Sequence, residues 1–316
     1  MKKLIYLLLV YFYSIQNTLA CDNWVWEDAT VYISGHPDDC GYLLWNTQIM
    51  TPENMLFIIL ALVAGEFILT KTLGYLNHKN KSPELPEELK EVYDEEKYEK
   101  SLKYENTKYR FGLISSAISI VVTILMLTLG GFGWLDEFVR QYTDNAIIMA
   151  LYFFWIITIV QTIIGLPFSY YSTFVIEEKF GFNKMTKKLF FLDTIKGLLL
   201  SAILGWGILA LIVWIYSIDE NNFWWYAWIL MTFISVFFMM FYSSVIVPIF
   251  NKQTPLESGD LRDAIQKFAD KVGFKLDNIF VIDGSKRSSK ANAYFSGFGP
   301  KKRIVLYDTL IADFTT

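Results

Sequence analysis

Residues 146–168 read AIIMALYFFWIITIVQTIIGLPF, a run of 23 without a charge, interrupted only by the amide of Gln161. About 20 mostly apolar residues cross the hydrocarbon of a bilayer as a helix. A helix on a soluble protein keeps one polar face, and this stretch has none. It reads as a membrane span. Working outward, four more stretches have the same character: Met55–Leu76 with Glu66 inside it, Gly112–Trp134, Ile195–Tyr216 and Phe223–Val247. The composition agrees, with 53% hydrophobic and only 19% charged residues, against about 25% charged in a soluble domain. That excludes an ordinary soluble globule and a disordered chain. A net charge of −4 argues against a nucleic-acid partner, which is met by a basic stripe. Two cysteines and two histidines exclude a disulfide scaffold and a four-cysteine metal site.

The N-terminal block differs. Met1-Lys2-Lys3 is a short basic start, Leu4–Tyr13 has the length of a signal core, and Thr18-Leu19-Ala20 offers a small-residue cleavage site before Cys21. Residues 1–20 read as a secretory signal peptide or an uncleaved signal anchor. Loop charges set the orientation, because Lys and Arg concentrate on the cytoplasmic side. Residues 77–110 hold eight, 135–145 only Arg140, 169–194 four, 217–222 none and 248–316 eleven. The alternation in, out, in, out, in follows. Residues 21–54 then form a short external segment, where the oxidising side allows a disulfide between Cys21 and Cys40. His36 and His78 fall on opposite faces of the membrane and cannot share a metal. Trp224, Trp225, Tyr226, Trp228, Trp214 and Tyr216 stand at span ends, as an interfacial belt requires.

The expected fold is therefore mainly α: a polytopic integral membrane protein with five strong spans, a signal-like N-terminal segment and a small cytoplasmic α/β unit at the C terminus. Residues 55–247 form the membrane domain, with cytoplasmic loops 77–110 and 169–194. Residues 82–110 read as a charged, solvated helix with Pro83 and Pro86 in its first turn. In residues 248–316, Leu261, Ala264, Ile265, Phe268, Ala269 and Val272 mark one helix face. Ser258 or Asp260 can cap its start, and Gly273 ends it. Ile279–Ile282 and Arg303–Tyr307 read as strands, and Tyr294–Ser296 is spaced to form a hairpin with Arg303–Leu306. A unit this small buries too little to stand alone and is expected to pack on the membrane helices. Glu66, an acid at membrane depth, is a functional candidate by default, unless it lies near enough to the interface to be hydrated.

Two motifs carry a resemblance. Phe174-Val175-Ile176-Glu177-Glu178-Lys179-Phe180-Gly181-Phe182-Asn183 is the first. The second joins Asp283-Gly284-Ser285-Lys286-Arg287-Ser288-Ser289, then Asn292-Ala293-Tyr294-Phe295, then Lys302–Leu310. In this order and between these spans they resemble the integral-membrane CAAX prenyl protease 1 family, over roughly Met50–Leu310. Lys290-Ala291 and the short turn at Gly299-Pro300 are more similar to bacterial members. The resemblance thus points to a bacterial inner membrane, or an endoplasmic reticulum membrane for a eukaryotic source. Met50–Asn54 resembles a start in such members, which leaves open whether residues 1–49 belong to the same protein.

The resemblance implies a seven-span zinc metalloendopeptidase that cleaves prenylated or other membrane-associated polypeptides. Its zinc helix carries H-E-x-x-H, in which two His one turn apart hold the metal and the Glu activates water. In the family this helix follows the segment matching Asp308-Thr309-Leu310, and no H-E-x-x-H occurs in residues 1–316. The expectation is that this chain is the N-terminal portion of such a protease, without catalytic or metal-binding residues of its own, binding no zinc and inactive alone. By the same resemblance Asn292, Ala293, Tyr294 and Phe295 form a substrate-binding edge strand, to which an extended polypeptide adds by β-augmentation. The bland alternative is that Asn292 closes a turn while Tyr294 and Phe295 fill a core. Glu177 and Glu178 read as structural, pairing with Lys179 or with cations of the C-terminal unit. Lys286 and Arg287 read as packing and salt-bridge residues, because no Walker-type glycine pattern surrounds them. A non-catalytic peptide-binding or regulatory membrane protein stays open as a second class, and a transporter or channel as a third. Membrane lipid is the other partner, and the oligomeric state is left open.

Overall fold

The computed structural model describes residues 24–27, 30–33 and 51–314, except 83, 86, 88, 89, 92, 93, 275, 277 and 299–301. The signal-like segment, Cys21, His36 and Cys40 lie outside the described residues. The chain forms two compact units, Met1–Asn77 and His78–Thr316. In the first, β1 (Trp24–Glu27) pairs antiparallel with β2 (Thr30–Ile33), with Trp24 opposite Ile33. The helix α1 (Pro52–Lys79) follows. Within it Glu66 accepts a hydrogen bond from Thr70 Oγ1, one turn on, at 3.0 Å.

The second unit begins with α2 (Glu95–Thr128) and α3 (Gly131–Arg140). Next comes α4 (Ala146–Tyr171), which widens into a π-helical turn at Ser172–Glu177. The helices α5 (Lys187–Ile218), α6 (Phe223–Val245) and the single turn α7 (Val247–Phe250) complete the membrane part. Five helices are long and apolar enough to cross a membrane, at the five places the sequence marks. The chain is a multi-pass integral membrane protein. Its span residues are almost all unburied within the protein. A bilayer permits this, because lipid is as apolar as leucine. Where helices meet, aromatic rings mediate the contact. Phe111 of α2 stacks on Tyr171 at 5.1 Å, Trp155 of α4 meets Trp206 of α5 edge-on at 5.1 Å, and Phe190 of α5 meets Tyr170 and Phe174.

Two expectations are corrected. The charged helix starts at Glu95, not in the proline segment at 82–86. Asp94 holds an extended conformation, and its Oδ1 accepts from Glu96 N and Lys97 N at 2.8 and 3.2 Å. This is a strong N-cap, and the acids Glu95 and Glu96 in the first turn complement the helix dipole. From there α2 runs unbroken into the next span. Its 34 residues reach about 50 Å, well beyond the roughly 30 Å of hydrocarbon, so one end projects from the bilayer. The span itself stops at Thr128, short of the expected Trp134. Gly130, left-handed at φ 69°, breaks the helix, and the ten residues from Gly131 form α3, which buries Leu135 and Val139.

The C-terminal part is a four-stranded sheet in the order β3-β4-β6-β5. The strands are β3 (Gln253–Pro255), β4 (Asn278–Ile282), β5 (Ala293–Ser296) and β6 (Arg303–Tyr307). The β4–β6 pairing is parallel and the others are antiparallel. The helix α8 (Asp260–Lys271) follows β3, and α9 (Asp308–Asp313) follows β6. Gly259, rather than a side chain of Ser258 or Asp260, stands at the N-cap of α8, with no side-chain cap bond. The strand β3 is too short and polar to show an apolar pattern in the sequence. Val247 of α7 packs with Ile282 and the fully buried Val305, and Phe280, Tyr294 and Tyr307 close around them. Gln253 Nε2 donates to Ser243 Oγ of α6 at 3.2 Å. The sheet therefore builds its core on the end of a membrane helix, as its size requires.

Gly284, buried after β4, allows this closure, since a Cβ there would overlap the Tyr307 ring. Gly284→Ala is expected to destabilise the sheet by about 1–3 kcal/mol, the usual cost of overpacking. Thermal unfolding in detergent checks it, and an unchanged midpoint would show that Tyr307 has room to move.

Candidate functional site

The first motif folds around a break in helical geometry. Pro167 removes an N–H from α4, and five residues later the helix widens into the π-turn, a distortion frequent at functional sites. Ile176 and Phe180 are buried and anchor the turn. Gly181 takes a left-handed conformation (φ 81°) that a side chain would resist. The chain then reverses, and Phe182 N and Asn183 N donate to Glu177 O at 2.9 and 3.3 Å. Asn183 Nδ2 donates to Glu178 Oε2 at 2.8 Å, so Glu178 serves the loop itself.

The second motif is stitched onto this reversed loop. Lys184 N donates to Arg287 O at 3.1 Å, Ser289 N to Phe182 O at 3.1 Å, and Ser289 Oγ to Gly181 O at 3.0 Å. Arg287 reaches Asp193 of α5 through Nε and Nη2 at 2.8 and 3.0 Å, and its Nη2 also donates to Phe250 O at 2.8 Å. Its role is structural, as the sequence indicates, and its partner comes from a membrane helix. Ser285 N and Oγ donate to the two carboxylate oxygens of Asp308 at 2.8 and 2.5 Å, which ties the two halves of the second motif together.

A third group joins three segments. Glu177 Oε1 accepts from Tyr104 OH of α2 at 2.5 Å, and Oε2 accepts from Lys290 Nζ at 2.7 Å. Lys108 Nζ stands 3.7 Å from Oε1. Lys290 Nζ also lies 2.6 Å from Tyr104 OH and over the rings of Tyr104 and Phe182. Burial opposes the charge on Lys290, but the hydrogen bonds it donates to Glu177 and Tyr104 outweigh it and hold the ammonium above its ordinary value of 10.5. A raised lysine contributes fully below that value and loses its contribution only as pH rises through the higher folded one. The Lys290 ammonium therefore stays charged throughout the neutral range. Tyr104 and Asp193 are not singled out by the sequence, and Lys290 stands out there only for its likeness to bacterial members. Tyr104 stands 73 residues from its partner and reads there as one of several tyrosines on a solvated helix.

Two residues beyond Lys290 lies Asn292, which is exposed, like Ala293 and Phe295, while Tyr294 is half-buried. Tyr294 turns inward to the core of the sheet, where burial pushes its phenol up. Phe295 is 79% exposed. The segment stands at the edge of the sheet, and of the two rings that the alternative reading places in a core only Tyr294 lies there. Asn292 O accepts from Tyr307 N at 3.0 Å. The alternation of an antiparallel ladder then turns the main-chain groups of Tyr294 towards β6 and those of Ala293 and Phe295 to the open edge. Asn292 Oδ1 takes the N–H of Ala293 at 2.9 Å. The Ala293 carbonyl and both main-chain groups of Phe295 remain on that edge.

Comparison with known proteins places this arrangement. Residues 74–252 match the family model described as CAAX prenyl protease N-terminal, five membrane helices. Residues 255–316 match peptidase family M48. The chain belongs to the CAAX prenyl protease 1 family. It is 36% identical over 266 residues to CAAX prenyl protease 1 of Saccharomyces cerevisiae, covering 80% of this chain and 59% of that one. It is 43% identical over 238 residues to the CAAX prenyl protease 1 homolog of Oryza sativa subsp. japonica, covering 73% and 56%. The crystal structure of Ste24p from S. mikatae superposes with a TM-score of 0.74 at 37% identity, covering 82% of this chain and 62% of that one. The chain thus spans about half the length of the curated relatives it matches. Among the described residues no group of three or more His, Cys, Asp or Glu could hold a metal ion. His78 stacks on Tyr109 at 4.3 Å. These residues do not fit a zinc site.

Arg287 and Asp193 are 19% and 16% exposed. Removing one partner of such a pair strands the other, and Arg287→Ala is expected to cost about 3–5 kcal/mol. Arg287→Lys keeps the charge but loses the fork and should fall in between. Melting in detergent of the two variants and of Asp193→Ala checks this, and a double variant no worse than either single one confirms the pairing.

Proposed function

We propose that this chain supplies the membrane frame and the substrate-holding strand of a zinc metalloendopeptidase that acts on prenylated or other membrane-associated polypeptides. The observation that carries this reading is the open edge of β5, which packs against the end of α6 and follows directly on the Lys290 contact with Glu177. An extended polypeptide laid along β5 would receive a hydrogen bond from Phe295 N–H and offer N–H groups to the carbonyls of Ala293 and Phe295. The amide nitrogen of Asn292 makes no hydrogen bond among the described residues and is available to a substrate carbonyl. Phe295 would then lie against an apolar side chain or a prenyl group. Zinc would supply the hydrolytic chemistry in the assembled enzyme, on residues other than those described. The protein would sit in a bacterial inner membrane, or in the endoplasmic reticulum membrane of a eukaryotic cell.

Two measurements test this. Sequencing the coding DNA and transcript beyond the codon for Thr316 should reveal an open frame encoding H-E-x-x-H. A stop codon with no such helix nearby would leave a peptide-binding or regulatory role instead. For the strand, p-benzoylphenylalanine placed at Phe295 should cross-link a farnesylated peptide on illumination, and the same group at the exposed Gln266 of α8 should not. Equal labelling at both positions would remove the assignment of β5.

A further inference from the structure

The pairing of Glu177 with Lys290 does more than join two motifs. Glu177 belongs to the π-turn at the end of α4, so its carboxylate is placed by the membrane helices and not by the sheet. Two donors, Tyr104 OH and Lys290 Nζ, converge on it from two other segments, and the Lys108 ammonium stands 3.7 Å away. Lys290 is also held at its main chain. Its carbonyl accepts from Thr309 Oγ1 at 3.0 Å, and its N–H donates to Ser288 Oγ at 3.2 Å. Only Ala291 separates it from Asn292, whose carbonyl forms the first rung of the β5–β6 ladder. A shift of the ammonium is therefore passed through one residue to the beginning of the open edge. The side chains of Lys290 and Glu177 are 41% and 20% exposed. Lys290 reaches water, and Glu177 keeps Tyr104 and Lys108 when Lys290 is lost, so the pair adds little to global stability, which leaves geometry as its main effect.

We propose that Glu177 is a positioning residue, which acts through Lys290 to set where the open edge of β5 stands relative to α2 and α4, and so how well a polypeptide seats on it. This rests on the reading of β5 as the substrate strand. The π-turn gives the arrangement a reason. One extra residue in the last turn of α4 rotates Glu177 towards Tyr104 and the 283–292 loop, where a regular helix would aim it about 100° away.

The test measures cross-linking of a farnesylated peptide at position 295, as a function of peptide concentration, in four backgrounds of the full chain: unaltered, E177Q, K290M and K290R. E177Q and K290M are expected to raise the half-saturating concentration about three- to tenfold, the weight of one or two hydrogen bonds, with the melting temperature unchanged. K290R, which restores a cation, should return it to within about twofold of the unaltered chain. Half-saturation unmoved in E177Q and K290M overturns the proposal. So does a change that only follows the melting temperature, or a K290R variant as weak as K290M. No cross-link in the unaltered chain overturns the substrate-strand reading itself, and that failure is distinguishable because the Glu177 cluster is then intact.

Discussion

A guanidinium withdrawn from water has to find its partners where it lands. Arg287 lands on a carboxylate of a membrane helix and on the last carbonyl of α7. Five apolar helices can slide and tilt against one another in lipid at small cost, because no hydrophobic force distinguishes helix contact from lipid contact. A four-stranded sheet has no such freedom once Val247 is in its core. The position of the sheet is therefore decided by a few directional contacts, and the Arg287 fork is the most demanding of them. Its two parallel bonds fix orientation as well as distance.

The two ion pairs of the site illustrate different uses of charge. Arg287 and Asp193 are mostly buried, so each depends on the other, and the loss of one partner is costly. Lys290 is 41% exposed, and Glu177 keeps Tyr104 and Lys108 as further partners, so the loss of Lys290 is tolerated thermodynamically. The first suits a fixed joint. The second suits a contact whose exact length matters more than its strength. The rings of Tyr104 and Phe182 under Lys290 limit where the ammonium can go without closing the site to solvent.

The membrane architecture could be read from the sequence because lipid imposes a simple rule. Every backbone group in the hydrocarbon must be satisfied within its own segment, so long apolar runs become helices. The strands β4, β5 and β6 were legible for a similar reason: Ile279, Val305 and their neighbours form short β-rich runs between turn residues. Helix ends were less legible. Pro83 and Pro86 are plausible helix starters, but Asp94 offers a side-chain cap with acids just behind it, and the cap prevailed. Glu177 illustrates what single-sequence reading cannot reach. Its neighbours in the chain mark it as structural, yet nothing local identifies Tyr104, which arrives from a different helix, or indicates that a π-turn aims the carboxylate.

The two edges of the sheet differ, and the difference bears on function. An exposed edge strand is a template for another chain, so proteins usually blunt it with proline, charge or brevity. At one edge, β3 is three residues long and ends in Pro255, which has no N–H to offer. At the other edge, β5 carries no charge along Ala293–Ser296 and presents Phe295 with its main-chain groups unpaired among the described residues. Asn292 covers a single N–H there, that of Ala293. Aggregation pressure alone would have protected both edges alike. An edge protected on one side and left open beside the family's two motifs on the other is the pattern expected when one particular polypeptide has to be admitted.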